Sequence, residues 1–296
     1  MDTPVTIEHL RHNYGDHLVY SDLNLTFERG KIYGLLGKNG VGKTTLIKIL
    51  MGFLKPAGGE CRIFGDPAHS ISPATRARVG LLFENHLAYD FFSIEDIERF
   101  HARFYPRWRS DVFWDMAGKL KLSKTHRIRN MSEGQRSQVV LGLLLAQNPE
   151  LLILDDYSMG LDAGYRRLFV DYLAEHLKDG NHTVILTSHV IQDMETFVDE
   201  AVFLKRGGFT HRTSLKTFME TFTRFQLPVA EESDAVPVPS DCIVNVERHP
   251  AYCDIFSFNS LEDVRYDLER QGFSGAALTP VLMTLEDAFI GYTGRY

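Results

Sequence analysis

The segment Gly37-Lys38-Asn39-Gly40-Val41-Gly42-Lys43-Thr44 fits the spacing G-x-x-x-x-G-K-[ST], which serves to hold a polyphosphate. Its glycines let the backbone curl until several N–H groups point inward at phosphate oxygens. A predicted helix from Lys43 to Gly52 follows at once and offers its positive N-terminal end to the same anion. Lys43 is placed to reach the β- and γ-phosphates, and Thr44 to set its hydroxyl on Mg²⁺. Gly37, Lys38, Asn39, Gly40, Val41, Gly42, Lys43, Thr44 and Thr45 are therefore the candidate nucleotide-binding residues. A glycine-rich turn with a chance lysine is the plainer alternative, but here strand, loop and helix fall in register. Alone, the loop specifies only a nucleoside triphosphate.

A second set of groups lies further on. Leu151-Leu152-Ile153-Leu154-Asp155-Asp156 is an apolar run ending in two acids. In a parallel sheet, ligands gather at the carboxyl ends of the strands. Asp155 is expected to hold Mg²⁺ through a water, and Asp156 to orient or deprotonate the water that attacks. The alternative is a pair of acids capping the next helix.

These groups need a sheet to hold them. Apolar runs at Ile32–Leu36, Val79–Leu82, Leu151–Leu154, Thr183–Thr187 and Ala201–Leu204 read as strands, several covered on both faces as in a parallel α/β sheet. Helices are predicted at Ala163–Lys178 and Ile191–Phe197, and residues 84–147 read as a helical, aromatic-rich insertion. Composition shifts near Leu227, where LPVAEESDAVPVPSD reads as a linker. Strands at Ile243–Glu247 and Tyr252–Phe258, a helix at Leu261–Gln271, a short strand and a last helix at Leu285–Tyr292 then make a small α+β appendage. The expected division is a nucleotide-binding domain over 1–226 and an appendage over 227–296, within what 296 residues allow.

Composition narrows the partners. A formal charge of -7 gives no support for a basic nucleic-acid face. No run approaches the roughly 20 apolar residues that cross a bilayer, and the N-terminus does not read as a secretory signal. Three cysteines, Cys61, Cys242 and Cys253, form no metal-ligand spacing and suit a reducing compartment.

At Met131-Ser132-Glu133-Gly134-Gln135 the chain resembles the ATPase subunits of ABC transporters, whose signature is usually written LSGGQ. The resemblance runs along nearly the whole chain. It implies a phosphate-binding-loop sheet domain with a β-ribbon part and an inserted helical subdomain. It implies that Ser132, Gly134 and Gln135 cap the γ-phosphate of ATP held by a second subunit. Tyr14 stands where an aromatic stacks on adenine in similar proteins, although an exposed loop tyrosine is the competing reading. Gly160-Leu161-Asp162 resembles the loop that crosses the dimer interface. His189, after Ser188, falls where the family keeps a histidine near the γ-phosphate, and Glu84 stands near the family's Q-loop glutamine as a catalytic and Mg²⁺-binding candidate. Leu285-Glu286-Asp287-Ala288-Phe289 resembles the ending of exporter-type subunits. The implied partners are membrane-spanning permease subunits and a second nucleotide-binding subunit, with the protein peripheral on the inner face of the cell membrane. Aromatics at Tyr89, Phe91, Phe92, Phe100, Phe104, Tyr105 and Trp108 either dock the permease or pack the helical subdomain.

Three departures stand out. The family usually pairs Asp with Glu where this chain has Asp155-Asp156, and the shorter side chain sits further from the water. Glu84 replaces a glutamine. Glu133 replaces a signature glycine, and Tyr157 a proline. A slow or regulatory ATP-binding subunit is therefore one alternative. A soluble ABC protein acting on ribosomes or DNA is another, opposed by the single phosphate loop and the absence of sustained heptads. An unrelated nucleotide kinase would need neither the signature nor His189.

Overall fold

Alternating apolar residues at the start of the chain make an antiparallel ribbon. In β1 (Val5–Tyr14), Val5, Ile7 and Leu10 point inward; in β2 (His17–Phe27), Val19, Leu23, Leu25 and Phe27 do the same. A computed structural model describes residues 3–83, 90–157, 163–178, 181–188, 190–230 and 235–294. The chain divides into one unit of 1–193 with 197–212 and a second of 194–196 with 213–296.

The first unit continues through β3 (Ile32–Leu36), α1 (Lys43–Leu50), β4 (Gly58–Ile63), β5 (Asp66–Pro67), α2 (Pro73–Arg76) and β6 (Val79–Leu82). Three helices follow, α3 (Ile94–Ala102), α4 (Ser110–Gly118) and α5 (Glu133–Ala146), inside the span expected for the insertion. Then come β7 (Leu151–Leu154), α6 (Ala163–His176), β8 (Thr183–Leu186), β9 (Glu200–Lys205) and β10 (Gly208–Ser214). The ribbon sheet has the order β2-β1-β4-β5, and the second sheet β10-β9-β3-β8-β7-β6. In that second sheet β3 pairs in parallel with β8 and β9, and β7 with β6 and β8. All four side chains of β7 are fully buried, which explains a run without alternation. Burying each contributes about 1.5–3 kcal/mol.

Parallel strands carry their carboxyl ends to one edge, so the loops after β3, β7 and β8 meet there. The helical insertion has its own core of Ile94, Ile97, Phe113, Ile128, Met131 and Leu143. Capping boxes start two of its helices, Ser93 with Asp96 on α3 and Ser132 with Gln135 on α5.

The second unit holds α7 (Leu215–Thr221), β11 (Thr223–Pro228), β12 (Asn245–Arg248), β13 (Tyr252–Ser257), α8 (Leu261–Arg270), β14 (Thr279–Val281) and α9 (Leu285–Thr293). Its sheet runs β12-β13-β11-β14, with a core that includes Phe225, Leu227, Ile255, Val264 and Leu268. Two expectations change. The boundary falls at 212/213 and not at 226/227, which lies inside β11, because Phe225 and Leu227 alternate inward to the second core. The helix predicted at Ile191–Phe197 is a 3-10 turn over Ile191–Thr196, whose one buried side chain, Met194, gives no apolar stripe to hold an α-helix.

Candidate nucleotide site

Between β3 and α1 the chain makes the turn that the glycine spacing requires. Gly40 has φ +79° and Gly42, the N-cap of α1, φ +115°. A Cβ on Gly42 would lie 2.6 Å from Val19 Cγ1 and 2.7 Å from the Tyr20 hydroxyl, so ribbon and loop meet with no room for a side chain. The fully buried Tyr20 donates its hydroxyl to the Gly42 carbonyl at 2.8 Å, and burial pushes that phenol's pKa up. Lys43 folds back over the loop, and its Nζ donates to the carbonyls of Gly37 at 2.5 Å and Lys38 at 3.1 Å. Burial lowers the lysine's pKa, while the carboxylates of Asp155 and Asp156 act in the opposite sense.

Those carboxylates follow β7. Asp155 is 2% exposed. Its Oδ1 accepts the Thr187 hydroxyl at 2.9 Å and faces the Thr44 hydroxyl at 3.4 Å. The amide of Asp156 donates to the same Thr187 oxygen at 2.7 Å. Asp156 has φ +50°, a region that aspartate enters more readily than most side chains. Thr187, just past β8, had no role in the sequence reading. The signal was its place at a strand's carboxyl end beside Ser188, level with the acids.

Tyr14, His17, Lys43, Thr45, Asp156 and Ser188 are among the residues around a cavity of about 530 Å³, a size that takes a small molecule. Tyr14 stands half exposed at its rim, with its hydroxyl 3.5 Å from Thr45 Oγ1 and its ring edge-on to His12 at 4.8 Å. Neighbouring oxygens around Mg²⁺, each at about 2.1 Å in an octahedron, are about 3 Å apart. The Thr44 hydroxyl would take one such position, and Asp155, whose Oδ1 lies 3.4 Å from that hydroxyl, stands beside it where a carboxylate reaches the ion through a bound water.

The cavity's lining does not include the signature residues. Ser132 caps α5 and accepts the Gln135 amide at 3.3 Å, while Gln135 Oε1 accepts the Ser132 amide at 3.0 Å. Gly134 is a contact point: a Cβ there would sit 2.3 Å from the Tyr165 ring, so α5 and α6 approach closely. Glu133 lies exposed in the first turn of α5, where a negative charge suits the helix end but opposes an incoming phosphate. Tyr157 is an interior anchor, 2% exposed and stacked on Phe169 at 5.1 Å, with its hydroxyl 3.5 Å from Asp193. Glu84, Tyr89, Gly160, Leu161, Asp162 and His189 lie outside the described residues.

The pattern of the ABC transporter family matches residues 20–158. The Nod factor export ATP-binding protein I of Cupriavidus pinatubonensis is 34% identical over 193 residues, 63% of this chain and 58% of that protein. The protein of the same name from Cupriavidus metallidurans is 31% identical over 214 residues, 70% of each chain. The chain thus spans between 58% and 70% of the length of these curated relatives. A solved ATP-binding subunit of an ABC transporter superposes with a TM-score of 0.65 at 22% identity, over 74% of this chain and 92% of that one, and shows the same fold. Family pattern, relatives and loop geometry agree, and the chain belongs to the ABC transporter family, among its ATP-binding proteins.

Proposed function

We propose that this protein binds Mg-ATP in the cavity beside Lys43 and hydrolyses it to drive a membrane permease, in the direction of export. The observation that carries this is the convergence of Lys43, Thr44, Asp155, Asp156 and Thr187 at the carboxyl edge of one parallel sheet. The loop amides between Gly37 and Thr45, with the α1 N-terminus, take the phosphates, and Lys43 exchanges its carbonyl partners for phosphate oxygens. Tyr14 stacks on the base. Thr44 and Asp155 would hold Mg²⁺, which neutralises charge on the phosphates. Asp156 orients a water and accepts its proton as the water attacks the γ-phosphorus in line with the departing ADP oxygen. Glu84 and His189 complete the site in this reading.

Two copies close head to tail, so that Ser132, Gly134 and Gln135 of one reach the ATP held by the other. ATP binding then favours the closed pair and hydrolysis releases it. The export direction rests on the relatives' names, which describe export. The protein would sit on the inner face of the membrane through its permease; among the described residues no helix is long and apolar enough to cross one. The second unit would serve as a dimer contact.

The reach of Asp156 favours a second reading, a slow ATPase. A carboxylate set back by about 1 Å costs about 100-fold in rate. The experiment for both is Asp156→Asn in the full chain. Turnover should fall at least about 100-fold, while ATP affinity persists and an ATP-bound dimer accumulates in light scattering. Unchanged turnover would remove Asp156 from the role of base. Wild-type turnover near the uncatalysed rate would favour the regulatory reading.

A further inference from the structure

In the hairpin of β12 and β13, Glu247 and Asp254 stand directly opposite each other. His249, between the two strands, brings a third donor, with Nε2 3.2 Å from Asp254 Oδ2. Its ring is steadied by stacking on Tyr252 at 4.5 Å, and its amide donates to the Tyr252 carbonyl at 2.8 Å. One ligand atom from each of the three residues lies within 4.8 Å of the others. Glu247 is 9% exposed and Asp254 6%, and Asp254 Oδ1 has no hydrogen-bond partner among the described residues.

Like charges opposite each other across a strand pair destabilise a sheet, and a buried carboxylate is costly unless it is paired or bound to a metal. The histidine contact engages Oδ2 of Asp254 and leaves Oδ1 to be accounted for. We propose that Glu247, His249 and Asp254 form a binding site for a first-row divalent cation such as Zn²⁺, separate from the nucleotide site. An imidazole nitrogen with two carboxylate oxygens is a donor set that such ions take and that Mg²⁺ does not favour. Donors at about 2.1 Å from one ion in a tetrahedron are about 3.4 Å apart, so the observed limit of 4.8 Å closes with side-chain rotations that bring the donors together by up to about 1.4 Å. Three protein donors leave one position for water, and the ion would pin the hairpin shut.

The test uses the full chain, free of tag, chelator-treated and without nucleotide. Zn²⁺ is titrated against a competing chromophore, and Co²⁺ is followed by its visible absorption. One ion per chain should bind. His249→Ala and Asp254→Asn should each weaken it by about tenfold or more, while Asp155→Asn at the nucleotide site leaves it unchanged. The melting temperature should rise with Zn²⁺ in wild type and not in His249→Ala. Wild-type protein that takes up no Zn²⁺ would overturn the proposal and leave an ion triad in its place, with no variant required to fold. So would stoichiometric binding that survives His249→Ala.

Discussion

The Thr187 hydroxyl donates to Asp155 Oδ1 at 2.9 Å while its oxygen accepts the backbone amide of Asp156 at 2.7 Å, so one side chain just past β8 holds both acids that follow β7. Valine has the same shape without the hydroxyl. Thr187→Val removes one hydrogen bond from a buried carboxylate oxygen and one from an amide, each costing about 1 kcal/mol. Thermal denaturation should show that loss. Turnover should fall about 100-fold through misplacement of Asp156, with nucleotide affinity nearly unchanged, since Lys43 and the loop remain. A variant that keeps full turnover would make Thr187 a stability residue only.

Gly40 and Gly42 both have positive φ, yet they should respond differently to alanine. At Gly40 a Cβ meets nothing within 4 Å, so only backbone strain of about 1–2 kcal/mol is added. At Gly42 the same strain comes with overlap on Val19 and Tyr20. Gly42→Ala should lose more than about 2 kcal/mol in urea denaturation and lose binding of a fluorescent ATP analogue. Equal stability losses for the two variants would mean that ribbon and loop yield easily at Tyr20.

Ser132 and Ser93 give a matched comparison, because each caps a helix of the same subdomain through a capping box. Replacing either with alanine should cost about 1 kcal/mol in stability. Only Ser132→Ala should also reduce ATP turnover and ATP-driven dimerisation, since Ser132 is assigned to the partner's phosphate. If both variants lose turnover in the same proportion, capping of the subdomain accounts for the effect.

The parallel sheet was legible in the sequence because its signal is local. Runs such as Leu151–Leu154 are apolar on both faces, and candidate site residues follow directly after them. The phosphate loop was legible because Gly37, Gly42 and Lys43 meet a backbone requirement at fixed spacing. β11 was not: the Pro- and acid-rich stretch that starts at Leu227 outweighed the short alternation of Phe225 and Leu227, which matters only once β13 and β14 pair beside it. Thr187 was missed for a similar reason. A lone threonine acquires its role when a parallel neighbour sets it level with Asp155, and that is a tertiary fact. The cluster of Glu247, His249 and Asp254 likewise depends on hairpin register.

Glu150 ties together the opposite edge of the sheet, where the strands begin. Its carboxylate accepts from Arg78 at 2.9 and 3.0 Å, from Arg29 at 2.8 Å and from Arg107 at 2.8 Å, while its backbone bonds to Arg78 ahead of β6 and to Thr183 at the start of β8. The hydrogen bonds from Arg78 lead in holding its pKa at about 2, against an ordinary 4.5, with Arg29 and Arg107 adding to them and burial opposing. A depressed carboxylate pKa stabilises the fold fully above the unfolded value, and that stabilisation is lost as pH falls through the folded one. The shift corresponds to about 3 kcal/mol; the arginines' partial exposure to solvent reduces the observable part to on the order of 1–2 kcal/mol. Glu150→Gln should therefore be less stable than wild type by that amount at pH 7. The gap should hold down to about pH 5 and close between pH 4.5 and pH 2 in denaturant titrations. A gap that stayed constant to pH 2 would mean that the amide loses packing rather than charge, and the arginines would then be solvated surface groups.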